Sequence, residues 1–340
     1  MNGKTFLKIA RVTLVFIYLI ILAGSVVRMT GSGMGCPDWP KCFDCWIPPT
    51  EESQLPENYR EDFAERREAK IEKFADLLTK VGFGEAAEEI RNDESLREKE
   101  APFNAFKTWT EYINRLVGFV SGNLVLLLFA SSLIWFRKDR RLVFLCFVNL
   151  LVIGITAWMG SIVVATNIVP WVLTVHMLMA LIIIAIQIAI IGRMKNDRRE
   201  HKPVNGTFKI LLLIALTLSL VEIIFGTQVR QSVDHLHKTV ERAQIIDQIG
   251  FHFEFHRTFA IAVILINGLL FYTNYKQGFK LDITKWLIIL ICIEALCGII
   301  LVYGGLPKEF QPIHVTLATI MFGIQSYLLT EVFGRRKRLF

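Results

Sequence analysis

Charge is scarce in this chain beside its apolar content. Only 20% of its 340 residues are Asp, Glu, Lys or Arg, against 53% hydrophobic, and mean hydropathy is +0.44. That balance excludes an ordinary soluble domain. The first apolar run lacks a convincing small-x-small cleavage site where it ends, in "GSVVRMTGSGMG". The run therefore reads as a retained helix and not as a signal peptide. The three cysteines of "GCPDWPKCFDC" have no histidine nearby, so a zinc site would stop one ligand short. The net charge of +7 excludes little by itself and does not mark a nucleic-acid partner, because the excess cations cluster in short loops.

What is present is apolar length. Runs recur at about 9–27, 112–136, 142–165, 171–192, 208–229, 255–273, 286–306 and 313–333. A helix needs about 20 such residues to cross the hydrocarbon of a bilayer. The expected fold is thus an all-α integral membrane protein of eight transmembrane helices. The short basic loops, "FRKDRR", "GRMKNDRREHK" and "YKQGFK", with the basic ends "NGKTFLKIAR" and "GRRKR", place both termini in the cytoplasm. The chain divides into helix 1 (1–28), a long extracytoplasmic loop (29–108), helices 2–4 (109–192), a linker (193–207), helices 5–8 (208–333) and a basic tail (334–340). Within the loop, residues 51–100 carry 16 Asp and Glu against 9 Lys and Arg. Phe63, Phe74, Leu77 and Leu78 give that acidic insertion partial helical spacing, and it reads as a solvated helical segment.

The chain repeats itself. Gly24 precedes Arg28 by four residues, as Gly226 precedes Arg230. "EYINRLVGF" matches "FEFHRTFAI", and Gly160 precedes His176 by the same 16 residues that separate Gly298 from His314. Three coincidences in one order predict two pseudo-repeated four-helix bundles, helices 1–4 and 5–8.

His176, His256 and His314 fall within about two turns of the outer end of an apolar helix. Facing imidazoles in a bundle are suited to the axial positions of a haem iron, and His256 with His314 is the complete pair. Arg28, Arg115, Arg230 and Arg257 lie where haem propionates would emerge, and guanidinium matches carboxylate in a two-pronged geometry. Glu111 shares a helix face with Asn114. It can serve a substrate by proton transfer or charge stabilisation, or simply favour a helix N-terminus. Glu222 and Glu294 lie inside helices 5 and 7, where an ionisable group is expected to have a function such as proton movement. Cys36 can pair with Cys42 on the oxidising side, and Cys45 is an alternative partner. His235 and His237 are left between loop residues and an electron-entry role.

Together these residues resemble the haem A synthase family. "GSVVRMTGSGMGCPDWPKC" is similar to that family's passage from helix 1 into the first outer loop, and "EYINR" stands where the family has glutamate-x-x-histidine-arginine. His176, His256 and His314 match its other ligand histidines. The resemblance covers the chain apart from the acidic insertion at about 51–100. It implies oxidation of a haem O methyl group, through haem I, to the formyl group of haem A in the cytoplasmic (inner) membrane, for terminal oxidase assembly. It implies haem b as cofactor between His256 and His314, substrate haem O in the first half, Glu111 as the catalytic carboxylate and Cys36–Cys42 as the loop disulfide. The implied partners are haem O synthase, terminal oxidase assembly factors, an unidentified electron donor and membrane lipid, with a homo-oligomer left open and no nucleic acid. The departure is Asn114, which replaces the motif's histidine and leaves His176 as the substrate-haem ligand of the first half. The alternative is a membrane b-type cytochrome that takes electrons from quinol, with haem only in the second half. A repeat-built transporter ranks last, because no helix is broken at the midplane.

Overall fold

The computed structural model describes residues 1–92, 102–165, 170–195, 204–236, 241 and 244–333. His201, His237, part of the acidic insertion and the basic tail therefore lie outside the described residues. The described elements are helical: α1 (Gly3–Met29), a 3-10 turn (Glu52–Gln54), α2 (Tyr59–Lys80), α3 (Gly84–Asn92), α4 (Ala105–Trp135), α5 (Arg140–Ala165), α6 (Pro170–Met194), α7 (Gly206–Leu236), α8 (Ile245–Gln248), α9 (Phe251–Gln277), α10 (Ile283–Tyr303) and α11 (Phe310–Phe333). Eight of these, α1, α4–α7 and α9–α11, are long and apolar enough to cross a membrane. Their surfaces agree with that role. Phe144 (63%), Leu265 (67%) and Trp286 (61%) are exposed, an arrangement that water penalises and lipid does not.

The chain forms two compact units. One comprises 1–22, 121–153 and 178–340. Within it α7, α9, α10 and α11 pack in a ring, each against its two neighbours, as a four-helix bundle. Phe208, Leu212, Val263, Leu270, Leu287 and Leu328 fill one end of that bundle. Val233, Ile245, Ile249 and Leu306 close the other, with α8 laid across it. Buried amides join the helices between: Gln325 Nε2 donates to Ser219 Oγ and Asn267 Oδ1, both at 2.9 Å. In the same unit Gln187 Nε2 donates to the Ala10 carbonyl and its Oε1 accepts from Asn149, both at 2.8 Å. Such bonds hold helices together where apolar contact alone gives no preference over lipid.

The other unit comprises 23–120 and 154–177. Its acidic segment is more than a solvated insertion. It folds as a helical hairpin, α2 on α3, with its own core of Ile71, Ala75, Leu78, Ala87 and Ile90. Arg91 ties the two helices by pairing with Glu72 (3.2 Å) and Asp76 (2.6 Å).

Helix α4 begins at Ala105, seven residues before the apolar run at 112, and α9 begins at Phe251. Glu111 is therefore in the second turn of its helix. The expected stabilisation by the helix macrodipole, which fades within the first turn, does not account for it.

Candidate functional site

The segment from Gly35 to Trp46 folds onto the head of α4. Phe43 and Asp44 have φ of 54° and 59°, the paired left-handed conformation of a type I′ turn, and Cys42 and Cys45 exchange backbone bonds of 2.9 and 3.1 Å across it. Asp38 stabilises that turn by accepting from the amides of Phe43 (2.6 Å) and Asp44 (2.9 Å). Cys36 pairs with Cys42 as expected, Cα to Cα 4.8 Å, and Cys45 is a free, exposed thiol. The Phe43 ring docks edge-on against Tyr59, Phe63 and Phe103, which ties the loop to α2.

Glu111 and Arg115 clamp this loop. The Glu111 side chain is 3% exposed and that of Arg115 is 12%. Glu111 Oε1 receives Arg115 at 2.5 Å and Oε2 receives the Cys36 amide at 2.9 Å. Arg115 also donates to the carbonyls of Asp38 (2.5 Å), Lys41 (2.7 Å) and Cys36 (3.0 Å). Its four terminal N–H groups are thus spent, which leaves only Nε for the propionate contact that the sequence led us to expect. The fit is close at Gly35, where a Cβ would stand 2.5 Å from the Lys107 carbonyl oxygen and 2.8 Å from the Thr108 nitrogen. Backbone cannot yield as a flexible side chain would. Gly35→Ala should therefore cost about 1–3 kcal/mol, read as a lower thermal midpoint in detergent with faster proteolysis between α1 and α4.

Beside the clamp, a cleft of about 460 Å³ is lined by Trp39, Lys41, Trp46, Arg66, Lys70 and Lys73 among others. Arg66 pairs with Asp44 at 2.7 Å. Burial pushes the Lys70 ammonium below its ordinary range; Asp38 opposes the shift, and Arg115 and Arg66 add to it.

Deeper in this unit, glycines face the two polar residues singled out on α4 and α6. A Cβ on Gly24 would lie 3.8 Å from Asn114 Oδ1, and one on Gly160 would lie 3.4 Å from His176 Cε1. Asn114 Oδ1 is buried without a hydrogen-bond partner among the described residues, and the Thr156 backbone carbonyl is an acceptor for the buried His176 ring.

In the other unit, His256 on α9 and His314 on α11 occupy one diagonal of the four-helix ring. Their ring centroids are 6.3 Å apart and their planes are perpendicular. The other diagonal supplies carboxylates. Glu222 Oε1 on α7 lies 3.0 Å from His256 Nδ1, and Glu294 Oε1 on α10 lies 3.1 Å from His314 Nδ1. These are ion-pair distances at an angle short of an in-line hydrogen bond. Gly226 and Gly298 make room for the rings, since their added Cβ atoms would stand 3.3 and 3.6 Å from the respective Cε1. Arg230 binds the Gln311 side chain and Asp234, its Nε buried without a partner, while Arg257 is exposed and lies over the Phe253 ring at 5.5 Å. Arg28 closes α1 in the unit that holds the clamp, and His235 is exposed near the end of α7 in the four-helix unit. No cluster of three or more His, Cys, Asp or Glu suited to a bare metal ion occurs among the described residues.

The sequence pointed to the histidine pair and, separately, to Glu222 and Glu294, but not to the pairing of each carboxylate with a histidine. A signal was available, because Glu222 and Glu294 each stand four residues, one helical turn, before the glycine that faces the histidine.

Eight lipid-facing helices with histidines paired inside a bundle define a multi-pass integral membrane protein. The chain belongs to the COX15-CtaA family, the cytochrome oxidase assembly proteins, whose family model matches residues 8–76 and 85–326. The match runs through most of the acidic insertion and breaks only at 77–84, where the sequence reading had set all of 51–100 outside the resemblance. Among curated relatives, "Heme A synthase" of Bartonella quintana (strain Toulouse) is 24% identical over 351 aligned positions, covering 92% of this chain and 88% of its own length. "Heme A synthase" of Shewanella oneidensis is 47% identical over 45 residues, 13% of this chain and 14% of that one.

Proposed function

We propose that the chain is a haem A synthase, an oxidoreductase that converts the methyl group of haem O through haem I to the formyl group of haem A. Within the chain, the facing His256 and His314 carry this reading. A metal–imidazole bond is about 2 Å long and the ring centroid lies about 1 Å further back, so two imidazoles that shared one iron between them would have centroids roughly 6 Å apart. The observed 6.3 Å fits that spacing. The unpartnered Arg230 Nε, near the same end of the bundle, supports a propionate contact, for which Arg257 and Arg28 are the further candidates. Haem b held there supplies one-electron redox chemistry.

The first-half residues take the substrate. His176 offers the imidazole and Asn114 a neutral amide, a weak iron ligand that leaves one face of the substrate haem accessible. Glu111 is one turn from Asn114, and beyond the bonds from Arg115 and the Cys36 and Gly35 amides its carboxylate keeps acceptor capacity. It serves the reaction as the carboxylate nearest that face. The glycines facing Asn114, His176, His256 and His314 support a chain built as two related four-helix halves, and the basic short loops support both termini in the cytoplasm.

The test is expression with a haem O source, then pigment extraction and chromatography. Haem b together with haem O, I or A is expected. Haem b alone would replace this reading with the quinol-linked b-type cytochrome.

A further inference from the structure

We propose that Glu222 and Glu294 are positioning residues for the iron ligands of the second half, and that their charge holds the reduction potential of the bound haem low. The inference rests on the haem b reading above and adds what the four-helix ring contributes to it. Ligands lie on one diagonal of that ring, α9 and α11, and carboxylates on the other, α7 and α10. Each Nδ1 lies within 3.0–3.1 Å of one carboxylate oxygen. Nδ1 of His256 and Oε2 of both glutamates are buried and have no hydrogen-bond partner among the described residues. Each ring N–H thus has a carboxylate oxygen beside it, and His314 has the Glu294 backbone carbonyl as a further acceptor. An acceptor on Nδ1 fixes the tautomer with Nε2 free, turns Nε2 toward the iron and raises its basicity.

A carboxylate inside a membrane bundle is costly unless it is used, and here two occur at matched places. They do not belong to a general pattern of the fold. The residues four before Gly24 and Gly160, which face Asn114 and His176, are Ile20 and Thr156. One haem site is thus backed by two carboxylates and the other by none. Negative charge behind the ligands favours the ferric state, so the haem of the second half is the stronger reductant of the two.

The experiment is a potentiometric titration of the purified haem-loaded protein, followed by optical and electron paramagnetic resonance spectra. Glu222→Gln and Glu294→Gln should keep a low-spin haem while each shifts the reduction equilibrium about tenfold toward the ferrous form, 59 mV for a one-electron couple. Glu222→Asp and Glu294→Asp retain the charge and should return the midpoint toward that of the wild type. Wild-type midpoints in both Gln variants would overturn the proposal, as would equal shifts in the Asp and Gln variants, which would mark a packing effect. A wild-type protein without low-spin haem, or one whose low-spin haem survives loss of both histidines, would overturn the haem b reading itself.

Discussion

Replacing either His256 or His314 by alanine should abolish the low-spin haem b spectrum and lower bound haem b roughly tenfold or more. The two imidazoles stand on opposite helices of a closed ring, α9 and α11, and no other described histidine lies between them. One ligand cannot hold the iron low-spin by itself. The perpendicular ring planes add a second signature. If both rings keep this crossed orientation on binding haem, they would leave two iron d orbitals nearly degenerate, and the wild-type ferric signal should be strongly anisotropic. A rhombic signal of small spread would mean near-parallel rings. His176→Ala, in the other unit, should leave this spectrum intact. Unchanged spectra in both the His256 and His314 variants would remove the pair from the account.

Glu111→Gln should stop formyl production while the protein still folds and keeps haem b. Loss of a positioned acid–base carboxylate typically costs 10²–10⁴-fold in rate. The structure adds a stability effect. Glu111 is the anion opposite a nearly buried Arg115, and the amide that replaces it leaves that guanidinium without a counter-charge. The clamp on the 36–46 loop should weaken by about 1–3 kcal/mol, seen as a lower thermal midpoint. Normal haem A output with a lowered midpoint would assign Glu111 to the loop alone. Normal values of both would deny it either role.

Composition made the eight spans legible, because about 20 consecutive apolar residues have few other uses. The histidine pair was legible through the repeat: His256 stands in the helix head that matches "EYINRLVGF", and His314 follows Gly298 by the 16 residues that separate His176 from Gly160. Helix starts were less so. Backbone hydrogen bonding carries α4 back to Ala105 and α9 to Phe251 through polar residues that hydropathy treats as loop. The hairpin core of Ile71, Ala75 and Leu78 against Ala87 and Ile90 was missed for a similar reason: its apolar residues are few and sit among charges. The clamp could not be read from the sequence at all, since Glu111 and Arg115 bond to backbone groups some 74 to 79 residues away in sequence. Those carbonyls and amides exist for them only once the 36–46 loop has folded. Arg115 was accordingly expected at a propionate, and its four terminal N–H groups are occupied elsewhere.

The central claim is turnover, and the purified protein in detergent can be asked for it directly. Haem O would be added with a reductant and oxygen, and the extracted haems followed by chromatography and mass spectrometry over time. The account predicts haem I first, then haem A, with haem b unchanged throughout and no formyl product from the Glu111→Gln protein. Recovery of haem O unaltered, from protein that retains its low-spin haem b, would contradict it.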